Sequence, residues 1–533
     1  MTEFSGNIFS SEGARGLGMP CFGRIVGTEV EYGISFGSGM IGDAQGEISH
    51  ELVNRLPASY ASGALWDYEE EDPFLDARGF HVEGDRERPD RRENRWTNRA
   101  LFNGGRLYVD GAHPEYSAPE CTSLRDVVRF ERAGDRLVEA CLLAWEAEDP
   151  ARRSLRVFRN NSDGWGNSWG YHENYLLSRD LSFDRIIGGL TAHLVSRTVF
   201  CGAGKVGSDR GAEGVPFQLS QRAEFFEVPV GLSTTSRRGI INTRDEPHSR
   251  KDSYRRLHVI TGDSNCSEIA TALKIGSTLL VLWVLEESHR NGVPLDFPVL
   301  ADPVAAFHQV SSDLTFRKPL TLSNGRTITV LGIAERYLEN VRLWFSREGM
   351  DSEVRDLLER WSVVLRRLGN YSRDPAGLDR ELDWAIKRRM IERYRASRGL
   401  PEGDSRLRML DLQYHDIRSS SGLFRLLEAQ GEVERLLDPM EIEDALVHPP
   451  TDTRAFFRGS LLRRFPDEVV AAAWSSVVVD DGSPSLKRIP LSDPFRGTQK
   501  SVGALVDRAQ SAKQLLEGLL AKGAPTESSE EMP

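Results

Sequence analysis

Polar and apolar positions alternate with period two in four separate stretches of this chain, and each stretch predicts an extended strand with one polar face. In GRIVGTEVEYG, Glu29 and Glu31 fall on one side, with Thr28 and Val30 on the other. In GRLYVDGAHPEYSAPEC, Arg106, Tyr108 and Asp110 share a face opposite Leu107 and Val109; Gly111 ends that strand, and a turn with Pro114 and Pro119 carries Glu115 and Glu120. SWGYHENYLL puts His172 and Asn174 on one side and Glu173 on the other, and YRRLHVI pairs Arg256 with His258 against Leu257 and Val259. One such strand alone is the wet face of an ordinary antiparallel sheet. Four of them, carrying carboxylates, imidazoles and guanidiniums, predict a shared polar platform with helices packed behind it.

Helical periodicity fills most of the rest. Leu124, Val127, Val128, Phe130, Leu137, Val138 and Leu142 give an amphipathic helix over 122–148 with a Thr/Ser cap. Further helices are expected at 183–200, at 265–291 and over 334–398, and Asn324-Gly325 signals a hairpin. The last helix carries Lys387, Arg388, Arg389, Arg393, Arg395 and Arg398, so a basic landing surface for an acidic partner is one reading and a solvated face the other. Residues 35–103 form a long excursion with a short helical pattern at 51–56, the acidic WDYEEEDP and DARGF. Excursions of this length are expected to be functional lids or disordered. Pro449-Pro450 marks a boundary, after which TDTRAFFRG, a helix and the strand-like AAWSSVVVDD suggest a small mixed domain. The class expected is α+β: a main domain over 23–450, a small one over 451–522, and disordered ends at 1–22 and 523–533.

A chain of 533 residues is too long for one compact core. Its formal charge of −12 argues against a nucleic-acid surface, which needs clustered Lys and Arg. Five cysteines with no CxxC pair suggest neither a disulfide framework nor a structural zinc site, and fit a reducing compartment. The first residues lack a signal-peptide pattern, and the most apolar run, 275–285, falls short of the roughly 18 residues of a membrane span. A cytoplasmic location without membrane contact is therefore expected. CGAGKVG lacks the spacing and the Ser or Thr of a phosphate loop and is set aside.

Two residues of strand rise set Glu29 and Glu31 roughly 7 Å apart. Like charges so close call for a cation or a basic neighbour. Hard cations take oxygen ligands and bridge phosphates, and Arg244 and Arg256 offer planar groups that match phosphate oxygens. The residue types thus point to a metal–nucleotide enzyme.

Eight motifs in order, GTEVEYG, WDYE…DARGF, RLYVDGAHPEYSAPEC, SWGYHENYL, INTRDEPH, YRRLHVI, DLQYHDI and TDTRAFFRG, resemble the enzymes that handle the prokaryotic ubiquitin-like protein Pup. That family comprises the Pup ligase and the Pup deamidase or depupylase, both related to glutamine synthetases. The resemblance implies a curved antiparallel sheet cradling ATP and Mg²⁺, backed by helices, with a small C-terminal domain alongside. Carried over by motif position, Asp110 is the catalytic aspartate. Glu29, Tyr108, Glu115 and His258 are magnesium ligands, and Glu31 and His172 are second-site metal contacts. Arg106, Ser117, Arg256 and Trp474 lie against ATP. The long 35–103 segment and the SAPEC turn resemble the depupylase branch, whereas LDWAIKRR and GNSWG lean toward the ligase. The activity expected is hydrolysis of the isopeptide bond between Pup and substrate lysines, with deamidation of Pup's C-terminal Gln. A Pup ligase and an idle Pup-binding regulator are the alternatives. The partners implied are Pup and pupylated proteins, with an indirect link to proteasomal degradation.

Overall fold

The computed structural model describes residues 2–3, 24–36, 45–83, 88–149, 153–210, 215–348 and 350–523. Six strands form its central sheet: β1 (Val26–Glu31), β2 (Asn98–Ala100), β3 (Arg106–Asp110), β4 (His113–Ser117), β5 (Tyr171–Ser178) and β6 (Tyr254–Val259), in the spatial order β6-β5-β1-β4-β3-β2. Every adjacent pair is antiparallel. The four strands whose patterning predicts a polar face therefore lie in one sheet, and β4 joins them through the Gly111 turn.

The other face of the sheet is apolar and buried. Val30, Tyr116, Tyr171 and Tyr175 have no exposed surface, and Leu107, Leu257 and Val259 keep 1% each. Against it lie α1 (Leu124–Glu148) and the central helix α2 (Glu268–Asn291). Ser123 caps α1 by accepting from the Asp126 N–H, and Ser267 caps α2 by accepting from the Ala270 N–H. The apolar run at 275–285 belongs to a helix of 24 residues, within the 265–291 span expected from the pattern. Its most hydrophobic stretch would satisfy the length and composition of a membrane span, but it is wholly buried inside the fold. Glu173, opposite His172, points into this layer. There Arg197 meets it with two bonds of 2.6 and 2.7 Å, since a buried carboxylate without a partner would be strongly destabilising.

The 35–103 excursion departs from the expectation of a lid or a disordered loop. Over its described residues it supplies the edge strand β2, a helix over Gln45–Val53 and the short strand Leu65–Trp66. That short strand pairs in parallel with β7 (Val469–Ala472), which continues into the antiparallel β8 (Ser476–Val479) and β9 (Lys487–Pro490). A second apolar cluster joins Ala64, Ala100 and Phe102 to Phe457, Val477, Ile489 and Leu515, so the C-terminal unit is built partly from the excursion. Its acidic run is neutralised there: Asp67 and Glu69 pair with Arg488, and Glu70 accepts from Ser475.

Of the expected disordered 1–22 segment, Thr2 and Glu3 pair with Lys487 and Arg488, and the remainder lies outside the described residues, as does 524–533. The basic helix, Asp383–Arg398, is also a correction. Lys387 is fully buried and donates to the Gly204 carbonyl at 2.7 Å and to Asp411 at 2.5 Å. Arg389 faces Asp379 and Glu432, so the helix does not present its cations as one open surface.

Candidate active site

Register decides which polar groups meet. Arg106 opposes Ser117, Ser117 opposes Glu29, and Glu29 opposes His172, which makes one rung across four strands. The next rung runs from Tyr108 through Glu115 to Glu31. Asn174 opposes His258. Asp110 ends β3 opposite His113, exposed at the rim, where Gly111 takes φ +55° to turn the chain into β4.

Two clusters result. Ligand atoms of Glu29, His172 and His258 lie within 4.8 Å of one another, and so do those of Glu31, Asp110 and Glu115. In the first, His172 Nδ1 bonds Glu29 at 2.9 Å, and Asn174 donates to the other Glu29 oxygen at 2.9 Å. The Asn174 carbonyl oxygen accepts from Arg256 at 3.0 Å and from His258 Nδ1 at 2.9 Å. That bond places the His258 proton on Nδ1 and leaves Nε2, buried and without a partner, as a free lone pair. Burial and the charges of His172 and Arg256 push His258 well below the ordinary histidine value, so it is neutral as a ligand must be. Glu29 is ionised: burial opposes its charge, but the His172 bond and the nearby Arg256 outweigh it and hold the carboxyl well below its ordinary range.

The second cluster is short of positive charge. Burial, then Asp110, Glu29 and Glu31, push Glu115 well above the usual carboxylate range. Burial likewise raises Glu31, with His172 opposing and Asp110 adding to the shift. The Tyr108 hydroxyl donates to Glu115 Oε1 at 2.7 Å, while Glu115 Oε2 is buried without a partner. Burial and the Glu115 and Asp110 charges keep that phenol protonated, so Tyr108 orients Glu115 as a neutral donor. Gly170 lets the clusters touch: a Cβ there would fall 2.3 Å from a Glu31 oxygen and 2.5 Å from His172 Nε2. An orphaned imidazole nitrogen, an orphaned carboxylate oxygen and crowded acids suit divalent cations with oxygen and nitrogen ligands.

Beside the first cluster opens a cleft lined by Gly27, Glu29, Ser117, Arg256, His248 and Trp474 among others. Three of the residues expected against a nucleotide, Ser117, Arg256 and Trp474, thus meet there. Arg106 lies one strand over from Ser117 and is caged, its guanidinium 3.8 Å from the Tyr108 ring centre and 4.3 Å from that of Trp66, with bonds to Asn98 and Tyr68. Trp66 meets Trp474 edge-on at 5.1 Å.

The strand patterns do not reveal the clamp that closes the cleft. Glu120 accepts from Arg454 Nε at 2.6 Å and from Arg458 Nη1 at 3.2 Å. Both arginines lie on α3 (Arg454–Arg464), four residues apart and hence on one helical face. Arg458 also donates to the Trp474 carbonyl at 2.9 Å, tying the turn that bears Trp474 to the sheet. The spacing in TDTRAFFRG is the signal that marks these two, and Asn174, within HENY, is the bridge between the histidine pair and Arg256.

The chain matches the Pup-ligase protein family over residues 24–478. It is 44% identical over 507 residues to the Pup deamidase/depupylase of Mycobacterium tuberculosis, covering 94% of this chain and 99% of that protein. It is 40% identical over 420 residues to the Pup–protein ligase of Kineococcus radiotolerans, covering 78% of this chain and 90% of the ligase. Among solved structures, the complex between Pup and its ligase PafA superposes with a TM-score of 0.76 at 31% identity, covering 94% of this chain and 92% of that one. The ligase with ADP gives 0.69 at 33% identity, covering 80% and 96%. With a match across most of its length and a sheet whose two polar rungs meet beside a cleft lined by Ser117, Arg256 and Trp474, this chain belongs to the Pup-ligase protein family.

Proposed function

We propose that this chain is a depupylase and Pup deamidase, cleaving the isopeptide bond between the C-terminal Glu of Pup and a protein lysine, and the side-chain amide of a C-terminal Gln. The observation that carries the reading is the 35–103 segment. Its described residues are built into the fold, supplying β2 and the cage over Arg106, and the match to the depupylase runs over 94% of the chain against 78% for the ligase.

Hydrolysis adds the elements of water across the amide: oxygen ends on the Pup carboxyl carbon, and the nitrogen leaves as lysine amine or as ammonia. Asp110 is the exposed carboxylate at the rim and the group that reaches the scissile carbon. It acts by direct attack, giving an anhydride that water opens, or as general base for that water. Label in Asp110 after single-turnover hydrolysis in ¹⁸O-water would establish the anhydride route, since only opening at the aspartyl carbonyl places solvent oxygen there.

Glu29 and His258, with Glu115 oriented by Tyr108, would hold Mg²⁺, and Glu31 and His172 would complete a second position. When bound, the cation supplies positive charge against the developing oxyanion. Ser117, Arg256 and Trp474 would hold ATP in the cleft, with Arg106 behind Trp66. The same proposal places the chain in a reducing cytoplasm, and its four described cysteines are buried free thiols.

The test is intact-mass analysis of a Pup–protein conjugate incubated with the chain, Mg²⁺ and ATP. Free Pup ending in Glu and unmodified protein are expected, and Asp110→Asn should lower the rate by on the order of 10³-fold while nucleotide affinity stays within twofold. An intact conjugate refutes the reading, and undiminished turnover by Asp110→Asn removes that residue from the chemistry.

A further inference from the structure

Beyond the catalytic end of the sheet stands a turn that the chemistry above does not use. Residues 162–168, SDGWGNS, fold back on themselves, with Ser162 and Ser168 in an antiparallel bridge. The Asp163 carboxylate accepts from the Trp165 N–H at 2.7 Å, from the Asn167 N–H at 3.0 Å and from the Asn167 side chain at 2.6 Å. Gly164 and Gly166 take φ +77° and +108°, which the tight reversal requires. The base is fixed as well: Ser162 bonds Asp209, and the Ser168 carbonyl accepts from Arg238 at 2.8 Å. This is a built turn, and at its tip Trp165 is 79% exposed.

Its place gives that exposure meaning. A single exposed apolar side chain is ordinary on a protein surface. Trp169, which follows the turn, stacks on His113 at 5.0 Å, and His113 lies in register with Asp110 and 3.6 Å from Glu31. The residue after the turn is thus stacked on the histidine that pairs with Asp110, which sets the turn beside the catalytic carboxylate's end of the sheet. The nucleotide cleft occupies the opposite end of the strands, at Gly27 and Ser117. An amide presented to Asp110 is therefore flanked by this turn. A chain inside the site meets half-buried walls such as His113. A side chain standing proud of the rim meets what stays outside.

We propose that Trp165 is a specificity residue that packs against the folded protein moiety of the conjugate, on the surface around the linked lysine. The proposal rests on the depupylase reading. Both reactions share Pup, and the protein moiety exists in only one of them. A Trp at a rigid tip offers large contact area with little ordering cost, which suits it to varied protein surfaces.

The experiment measures kcat/KM of the wild type, Trp165→Ala and Trp165→Phe for two substrates: a Pup–protein conjugate, and free Pup ending in Gln. Trp165→Ala should lower conjugate cleavage about tenfold, mainly through KM, leave deamidation within twofold, and be largely rescued in Trp165→Phe. Equal losses on both substrates would assign Trp165 to Pup itself and overturn the proposal, as would no loss on either. Failure of the wild type to turn over either substrate would overturn the functional reading and the proposal with it, an outcome distinct from the other two.

Discussion

Replacing Glu120 with Gln tests whether one buried carboxylate holds the C-terminal unit against the sheet. Glu120, Arg454 and Arg458 have side chains 10%, 4% and 1% exposed. Burial opposes the charge of Glu120, but the Arg458 and Arg454 guanidiniums beside it hold its carboxyl down to about 2 from 4.5. At about 1.4 kcal/mol per pH unit, that depression is worth roughly 3 kcal/mol. Removing the charge also strands two buried guanidiniums, a change that costs about 3–5 kcal/mol in buried pairs. The two routes agree on roughly 3 kcal/mol. The assay is native-state hydrogen exchange at the amides of β8, where Glu120→Gln should lower the opening free energy by that amount. Because Arg454 and Trp474 line the cleft, nucleotide affinity should fall with it, by tenfold or more. The pH dependence has a definite sign. A depressed carboxyl contributes fully above its unfolded value of 4.5 and loses its contribution as pH falls toward 2, so wild-type protection should decline in that window and the Gln variant's should not. A change below about 1 kcal/mol would refute the reasoning and make the clamp a surface-like pair.

Gly134→Ala reverses the usual rule for helices, in which Ala is favoured over Gly by about 1 kcal/mol. Here the new Cβ would sit 2.2 Å from the buried Tyr116 ring, so destabilisation of about 1–3 kcal/mol by overpacking should win, read as a lowered Tm. Mg²⁺ binding should release protons, because Glu115 holds its proton well above the carboxylate range until a cation displaces it. Calorimetry in buffers of different ionisation enthalpy should show this, with affinity rising as pH rises; buffer-independent heats would contradict it. Without cation the sign for stability is the reverse: the folded state binds that proton more tightly than the unfolded chain, so stability falls as pH rises above 4.5.

Period-two alternation was enough to put Glu29 with Glu31, Arg106 with Asp110, and Arg256 with His258 on common strand faces, because side-chain direction in a strand is a local property. The apolar periodicity of 124–148 was enough for its helix, and the residue types were enough to suggest a cation and a phosphate. Alternation carries no information about which strand lies beside which. Only the β1–β5 register sets His172 against Glu29, and only the β5–β6 register lets Asn174 fix the proton of His258. Long-range pairing also decided two misreadings. Lys387 reads as a surface cation but is turned inward to Asp411, and the acidic WDYEEED run reads as part of a lid or disordered loop but is held by Arg488, some 420 positions away. Glu120 and Arg458 are 338 positions apart, and neither carries a local signal of the other. Local pattern determined the faces this chain offers. Burial of charge, which requires each buried ion to find its opposite wherever the chain brings it, decided how those faces were assembled into a site.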